Sequence, residues 1–392
     1  MFKRISASIL VLALLAMLLP ACAPPAAAPA EVKIGLDVPM TGDHAYVGTQ
    51  SQRAAEMWRD EINGAGGLEV GGKKYTVKLI IEDNESKAES ATAAATKLIT
   101  QDRVLAIIGP QASARAVPTG EVCNENETPM ISPWSTNPNT TLDRPWVFRV
   151  PFLDPFQGPV VANFATQEFG ATKAAVLYDV ASDYPKGLAD NFKEGWEAIH
   201  GAGSVVAFES FTTGDIDFSA QLTNIRGSGA EILFTPQYYN EVGPIVKQAH
   251  DLGLTQIIVG SDSWGDPKTL ELCGDACEGY FFSTHYAAEG ATGATKEFID
   301  KYNGLFNEIP GDVAALTWDA MLILGQALQD CGKVTGDLAA DRKCIRDALA
   351  QIKNFDGITG QMTFTEQGDP IKCAVIVKIQ GGKFTFYKQA CP

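Results

Sequence analysis

Three polar segments follow apolar runs that predict buried strands. Residues 109–113 (GPQAS) also open a predicted helix, whose free backbone N–H groups and positive dipole end suit a carboxylate. Residues 132–136 (SPWST) add further hydroxyls, and residues 260–262 (GSD) end in a carboxylate. Hydroxyls that hold a ligand carboxylate, together with Asp262 on its ammonium group, would bind a zwitterion, since a buried charge requires such pairing. For Ser113, capping of its own helix is the alternative that stays open.

The elements that must position these segments alternate between strand and helix from residue 31 onward. The predicted strands are 32–38, 75–81, 104–110, 129–133, 174–178, 205–208, 232–234 and 257–260. Three helices near 294–306, 312–329 and 339–352 and a hairpin over 373–387 follow. Such alternation predicts parallel sheets covered by helices on both faces, and the two series predict two α/β lobes. Ligands of these sheets bind at the carboxyl ends of the strands, where all three polar segments lie.

The first thirty residues predict export. Lys3 and Arg4 precede an apolar run over residues 9–19, which is too short to span a bilayer, since this takes about 20 residues. The sequence Leu-Pro-Ala-Cys ending at Cys22 is similar to a bacterial lipoprotein cleavage site. We therefore predict a signal peptide over 1–21 and a lipidated tether over 22–30. The alternative is an ordinary cleaved signal in which Cys22 is incidental.

Composition narrows the classes of partner. The formal net charge is −16, and loss of Lys3 and Arg4 with the signal peptide leaves −18. A surface this acidic argues against nucleic acid and anionic lipid as partners. Length favours two domains, because roughly 370 residues are more than one hydrophobic core usually serves.

Cysteine usage agrees with an oxidising compartment. Besides Cys22 there are seven cysteines, and sequence proximity suggests the pairs Cys273–Cys277, Cys331–Cys344 and Cys373–Cys391, with Cys123 left free. The spacing Cys-x3-Cys has no matching Cys or His pair nearby, and the four histidines are scattered. We predict no metal site and no cofactor.

Over residues 31–392 the chain resembles the periplasmic binding proteins for branched-chain amino acids that serve ABC transporters. The resemblance is carried by short motifs distributed along the chain: residues 39–42 (PMTG), 60–67 (DEINGAGG), 108–110 (IGP), 130–133 (MISP), 136–138 (TNP), 149–159 (RVPFLDPFQGP) and 217–219 (DFS). It implies the type I periplasmic binding protein fold. In that fold two Rossmann-like lobes, with parallel sheets flanked by helices, are joined by three crossovers.

The resemblance also implies roles for individual residues. Ser113 and Thr136 would hold the ligand carboxylate, with backbone N–H groups near Ser113 and Ser135. Asp262 stands at an acidic position, usually Glu in the leucine type, that takes the ammonium group. Three aromatic residues match positions that close on the ligand or form the wall of its side-chain pocket, namely Tyr184, Tyr46 and Tyr239. Trp134 replaces a small residue beside the carboxylate site and is expected to narrow the pocket.

The expected protein is an extracytoplasmic solute-binding protein of an ABC importer. Lobe 1 would comprise 31–153 and 286–371, and lobe 2 would comprise 154–285 and 372–392. The cleft between them would close by a hinge motion on a branched-chain or other apolar amino acid. The closed form would dock on the permease subunits. We expect a periplasmic or cell-surface monomer that is attached to the membrane by its lipid alone.

Three alternatives remain open on sequence alone. The same fold could bind an amide, urea or an aromatic acid, none of which needs an ammonium partner such as Asp262. The lobes could form a ligand-sensing ectodomain that signals through a partner. An extracellular enzyme is disfavoured, because the sequence has neither a Gly-x-Ser-x-Gly nor a His-Glu-x-x-His motif. We therefore predict no enzymatic activity.

Overall fold

The computed structural model describes residues 30–392. The predicted signal peptide, the lipidation site at Cys22 and all but the last residue of the predicted tether lie outside the described residues. Among the described helices, none combines the length and the apolar character that crossing a membrane requires.

The first sheet contains six strands in the order β2-β3-β1-β4-β5-β6. These strands are β1 (Glu31–Val38), β2 (Leu68–Val70), β3 (Lys73–Asp83), β4 (Ala106–Ile108), β5 (Met130–Ser132) and β6 (Val147–Arg149). All neighbours in it are parallel except the β2–β3 hairpin. Every residue of β4 and β5 is buried, as expected for short central strands of a parallel sheet with both faces covered.

The second sheet contains seven strands in the order β16-β15-β11-β10-β9-β7-β8. Its members are β7 (Ala174–Asp179), β8 (Val205–Phe211), β9 (Ile232–Phe234), β10 (Ile257–Gly260), β11 (Phe281–Thr284), β15 (Ala374–Gln380) and β16 (Lys383–Ala390). The first five are parallel, and the β15–β16 hairpin adds antiparallel strands at the edge of β11. Two parallel-stranded sheets with flanking helices confirm the predicted fold class.

Eleven α-helices lie among residues 30–392. They are α1 (Ala45–Gly64), α2 (Ala88–Lys97), α3 (Ser113–Glu125), α4 (Asp154–Phe169), α5 (Asp183–His200), α6 (Ser219–Gly227), α7 (Tyr239–Asp251), α8 (Pro267–Cys273), α9 (Gly293–Phe306), α10 (Asp312–Asp330) and α11 (Leu338–Leu349). Helix α10 is apolar almost all round and nearly wholly buried, because it packs against α1 and α11 in the main core.

The chain passes between the two sheets three times. It leaves the first sheet after β6, returns after β11 through α9 to α11, and leaves again before β15. A small antiparallel sheet precedes the third passage and consists of β12 (Phe355–Gly357), β13 (Gly360–Phe364) and β14 (Pro370–Ile371). Sequence patterning did not predict this sheet, since its strands are only two to five residues long.

The structure brings together the cysteines of each suggested pair. The Cα atoms are 5.7 Å apart in Cys273–Cys277, 5.7 Å apart in Cys331–Cys344 and 4.1 Å apart in Cys373–Cys391. Cys123 is buried and unpaired in the described part of the chain. Burial raises the pKa of its thiol, which makes a thiolate at this position unfavourable.

One buried ion pair connects the first and third passages. Arg149, the last residue of β6, is fully buried, and its Nε lies 2.7 Å from Oδ1 of Asp369. Its Nη1 donates to the carbonyl oxygens of Ser135 at 2.9 Å and Asn137 at 2.8 Å. Its Nη2 donates to Oγ1 of Thr141 at 2.6 Å. One guanidinium therefore fixes the loop after β5 to the start of the first passage and the end of the third.

We expect Arg149→Met to lower the free energy of unfolding by about 3–5 kcal/mol, because loss of one partner leaves a buried charge and several carbonyls unpaired. Chemical denaturation measures this change. Lys186→Met is the control: it breaks an exposed ion pair with Asp190 at 3.0 Å and should cost at most about 0.5 kcal/mol. Equal destabilisation by the two substitutions would show that the Arg149 contacts do not anchor the loop.

Candidate functional site

The hydroxyl groups predicted from the first lobe lie together at the carboxyl end of the first sheet. Ser113 is the first residue of α3, and its Oγ lies 2.8 Å from Oγ of Ser135. The latter lies 2.7 Å from Oγ1 of Thr140, and all three residues are buried. Ala112 is the N-cap residue and Ser113 is the first helical residue, so Ser113 does not cap this helix; among residues 30–392 its hydroxyl bonds only to Ser135. It stands instead beside the unpaired N–H groups of the first helical turn, where a carboxylate is favoured.

Two glycines allow the strand exits that present these side chains. Gly109 follows β4 with φ at +105°, and a Cβ there would meet the carbonyl oxygen of Asp37 at 2.1 Å. Gly260 ends β10, and a Cβ there would meet the ring of Trp264 at 2.2 Å. Only a residue without a Cβ fits so close to a neighbouring atom. Glycine at these two positions therefore lets the chain turn sharply where β4 and β10 end.

Thr136 lies in the same loop as Ser135 and is fully buried. Its carbonyl oxygen accepts from the backbone N–H of Asp154 at 3.0 Å. Burial raises the pKa of Asp154 to about 8, and the nearby hydroxyl of Thr136 partly opposes that shift. The hydroxyl and the carboxyl group make no hydrogen bond of normal geometry within the described chain, so both can bind a ligand more closely than they bind each other.

Asp262 lies at the carboxyl end of the second sheet, immediately beyond β10, and is 1% exposed. Its Oδ1 accepts from the hydroxyl of Tyr184 at 2.6 Å and from Nε2 of Gln157 at 2.8 Å. Its Oδ2 lies 3.4 Å from Nε2 of His285. The predicted pair Tyr184 and Asp262 is thus in direct contact, and two residues that the sequence did not single out, Gln157 and His285, complete the shell.

A second acid reaches the same region from the start of α10. Asp312 accepts from Nε1 of Trp134 at 3.2 Å through Oδ2, while its Oδ1 has no partner among the described residues. Ligating atoms of Asp262, His285 and Asp312 lie within 4.8 Å of one another, close enough to surround a cation. Sequence reasoning missed Asp312, because an acidic residue opening a helix is common for its effect on the helix dipole alone.

Burial governs the charges in this cluster. It raises the pKa of Asp312 well above its usual range, and the nearby Asp262 adds to the shift. It lowers the pKa of His285 to about 4, although Asp262 partly opposes that effect. The imidazole is therefore neutral at pH 7, and it adds no positive charge where a ligand ammonium group would compete with it.

Residues from both sheets line one small cavity, which is closed so tightly in this structure that it does not admit a water molecule: Ala112, Ser113, Trp134, Tyr184, Tyr238, Asp262 and Ser263. It therefore brings Ser113 and Asp262 to the same space. The ring centroid of Tyr238 lies 5.5 Å from Trp134 and 5.2 Å from Tyr184, so three aromatic side chains form its wall.

Tyr46 and Tyr239 do not line this cavity. Their ring centroids are 6.5 Å apart in an edge-to-face arrangement, and the hydroxyl of Tyr239 donates to the carbonyl oxygen of Asp43 at 2.9 Å. The neighbouring Tyr238 takes the wall position. Sequence alone carries no signal for which of the two adjacent tyrosines faces the cavity, because this depends on where the helix begins: Tyr238 is the extended N-cap residue and Tyr239 is the first residue of α7.

Comparisons with known proteins all indicate the same family. The family model described as periplasmic binding protein matches residues 31–383. The Leu/Ile/Val-binding protein homolog 3 of Brucella melitensis is 30% identical over 350 residues, which are 88% of this chain and 89% of the relative.

Two solved structures are similar over nearly their whole length. A leucine-binding protein of Thermotoga maritima has a TM-score of 0.84 and 33% identity, and the match covers 92% of this chain and 99% of that one. A branched-chain amino acid transporter substrate-binding protein of Streptococcus pneumoniae, in complex with isoleucine, has a TM-score of 0.83 and 32% identity. That match covers 92% of this chain and 100% of the other.

The buried carboxyl groups predict how stability depends on pH. Burial raises the pKa of Asp154 to about 8 and that of Asp266 to about 7, whereas an unfolded aspartate titrates near 4. Between about pH 6.5 and 8 the folded state therefore binds more protons, and the free energy of unfolding falls as the pH rises. His285, with a pKa of about 4, adds no slope in this window.

Denaturation at several pH values measures the slope, and Asp154→Asn should make it shallower by up to about 1.4 kcal/mol per pH unit. The same substitution at the exposed Asp190 is the control and should leave the slope unchanged. Stability that rises across this window would contradict the raised pKa values.

Proposed function

The chain belongs to the periplasmic binding protein family, and we propose that it is the extracytoplasmic solute-binding protein of an ABC importer that binds a branched-chain or other apolar amino acid. The observation that carries this proposal is the cavity in which Ser113 from the first sheet faces Asp262 from the second. The printed names of the Brucella melitensis, Thermotoga maritima and Streptococcus pneumoniae relatives support the class of ligand.

In the proposed complex, the ligand carboxylate lies at the start of α3. Ser113 and the loop hydroxyls of Ser135 and Thr136 donate to it, together with the first-turn N–H groups. These donors would satisfy the hydrogen-bonding needs of a buried carboxylate without a cationic side chain, as helix N-termini do at other anion-binding sites. The buried Oγ1 of Thr136 supports this role, since it makes no hydrogen bond of normal geometry within the described chain and interacts only weakly with Asp154.

The ammonium group lies at the opposite end of the cavity. Asp262 accepts from it, with Asp312 as a second acceptor whose Oδ1 is unpaired within the described chain. The group of Asp262, His285 and Asp312 is compact enough to hold a cation. We infer that this cation is the ammonium group of the ligand, because the hydroxyls at the other end of the cavity suit the carboxylate of the same molecule. Trp134, Tyr184 and Tyr238 would pack on the apolar part of the ligand.

A ligand that contacts residues of both sheets would couple binding to a hinge motion of the two lobes. We propose lobe 1 as 31–153 with 286–371, and lobe 2 as 154–285 with 372–392, so that the three passages form the hinge. Contacts to Ser113 and Asp262 exist together only when the lobes are closed, and a ligand therefore shifts the population to the closed form. The closed form would then dock on the permease as a monomer that carries out no chemistry.

Titration calorimetry tests the ligand. Asp262→Asn should weaken binding of leucine at least about 30-fold, because removal of one partner of a buried charge pair costs about 2–5 kcal/mol. Asp190→Asn is the exposed control and should bind as the parent does. No heat with leucine, isoleucine, valine or phenylalanine would exclude the proposed ligand. Undiminished binding of an amide or a benzoate-type acid by Asp262→Asn would assign the site to a ligand without an ammonium group.

Membrane attachment and the disulfides are part of the same proposal. We propose that Cys22 carries the lipid, that residues 22–30 form the tether, and that the three cysteine pairs are oxidised outside the cytoplasm. Two acyl signals are needed for stable anchoring, and a lipidated N-terminal cysteine supplies them without a membrane helix.

Cys22→Ser should abolish incorporation of labelled palmitate and move the protein from the detergent phase to the aqueous phase. Phase partition with Triton X-114 measures this shift. The parent protein is the reference and should remain in the detergent phase. Partition of both proteins into the aqueous phase would mean that the export signal is simply cleaved and that Cys22 is incidental.

A further inference from the structure

A second cavity adjoins the first, and Tyr238 lines both. Its volume is about 120 Å³, which has room for the end of a side chain and lies below the roughly 300–1,000 Å³ of sites that enclose a whole ligand. Ser113 and Ala114, consecutive residues of α3, line the first and the second cavity respectively. A ligand whose carboxylate lies at Ser113 can therefore extend past the ring of Tyr238 into this space.

The second cavity contains a buried guanidinium without a carboxylate partner. Arg115 is 8% exposed and takes part in no ion pair within residues 30–392. Its Nη1 donates to the carbonyl oxygen of Ser86 at 3.3 Å, and its Nη2 contacts Nδ1 of His44. Arginine has five N–H donors, so most of its hydrogen-bonding capacity remains available to an acceptor in the cavity.

A carboxyl group lies in the same cavity, on the side of the second sheet. Glu241 in α7 is 9% exposed, and its Oε2 has no hydrogen-bond partner among the described residues. Its Oε1 accepts from the side chain of Asn240. Burial raises the pKa of Glu241 to about 8, so the group is largely uncharged at neutral pH. An uncharged carboxyl still offers an acceptor oxygen, and its proton is a donor.

We propose that this cavity is a side-chain subsite for an amino acid that ends in a carboxamide, of the glutamine type. The amide oxygen accepts from Arg115, and the amide NH2 group donates to Oε2 of Glu241. This inference rests on the proposed function, since the backbone of the ligand is held at Ser113 and Asp262 as before. It extends the range of ligands beyond apolar side chains.

The proposal accounts for two buried polar groups that an apolar side chain would leave unpaired. A leucine side chain ends one atom short of a glutamine side chain, so it can stop at the aromatic wall formed by Trp134 and Tyr238. A glutamine side chain reaches one atom further and ends in both a donor and an acceptor. Because Arg115 and Glu241 come from opposite sides of the cleft, such a ligand would also add a contact between the lobes.

Titration calorimetry of the full chain with leucine, glutamine and glutamate tests the subsite. Arg115→Met removes the guanidinium and keeps an unbranched side chain of similar length. We expect it to weaken glutamine binding about tenfold or more, as loss of a hydrogen bond to a charged group does, and to leave leucine binding within about threefold. Glu241→Gln keeps the shape of the carboxyl group and should weaken glutamine binding by a smaller factor. Arg226→Met is the matched control on α6, where the arginine is exposed, and should change neither affinity.

The remaining outcomes contradict the subsite, the proposed function or both. Binding of leucine without glutamine would overturn the subsite and leave the proposed function in place, whereas binding of no amino acid would overturn both. Equal losses of glutamine affinity in Arg115→Met and Arg226→Met would overturn the role of Arg115. If glutamate bound more tightly than glutamine and Arg115→Met abolished that binding, the subsite would be one for a side-chain carboxylate and not for a carboxamide. Retained leucine binding also shows that the Arg115→Met variant is folded.

Discussion

The buried guanidinium of Arg149 is the interaction on which the rest of the site depends. It ends β6, binds the carbonyl oxygens of the loop that carries Ser135, and pairs with Asp369 just before the third passage. A charge in this position must be fully paired, because removal from water costs several kcal/mol per ion. The five N–H donors of the arginine guanidinium satisfy the ion pair and four further acceptors at once. The position of the loop hydroxyls and the path of two passages between the sheets are thus fixed by one side chain.

The second passage contacts both the first passage and the end of the cavity that contains Asp262. His285 follows β11, packs its ring 4.0 Å from that of Phe152 in the first passage, and lies beside Asp262. A change in the relation of the sheets must therefore displace a residue that contacts the predicted ammonium site. Gln157, at the start of α4, contributes to both regions, since it donates to Asp262 and to Oγ of Ser283 at 2.8 Å. In the proposed hinge motion, closure and ligand contact would share these side chains, as a population shift by the ligand requires.

Sequence reasoning found the residues whose position follows from strand periodicity alone. Ser113 and Asp262 stand directly beyond apolar runs, and parallel strands bring such exits to one edge of each sheet. It did not find Tyr238, Asp312 or Arg115, because their roles depend on the rotation of a helix about its axis and on the approach of two sheets. Helix α4 was also missed as an element. Its Gly158 and Pro159 suggest a turn, because a proline inside a helix, here its sixth residue, removes a backbone hydrogen bond; packing of α4 against α5 outweighs this local preference.

The two ends of the cavity satisfy a ligand by different physical means. At the first sheet, the donors are hydroxyls and helix N–H groups, which carry no net charge. They would not repel a ligand ammonium group, and they need no counter-ion when no ligand is bound. At the second sheet, burial raises the pKa of Asp312 and lowers that of His285, which favours the uncharged form of each, and Asp262 accepts from the hydroxyl of Tyr184 and the amide of Gln157. Neutral neighbours let several acceptors crowd together without mutual repulsion. The proposed site thus has acceptor oxygens at one end and hydroxyl and backbone N–H donors at the other, and this polarity would set the orientation of a bound amino acid.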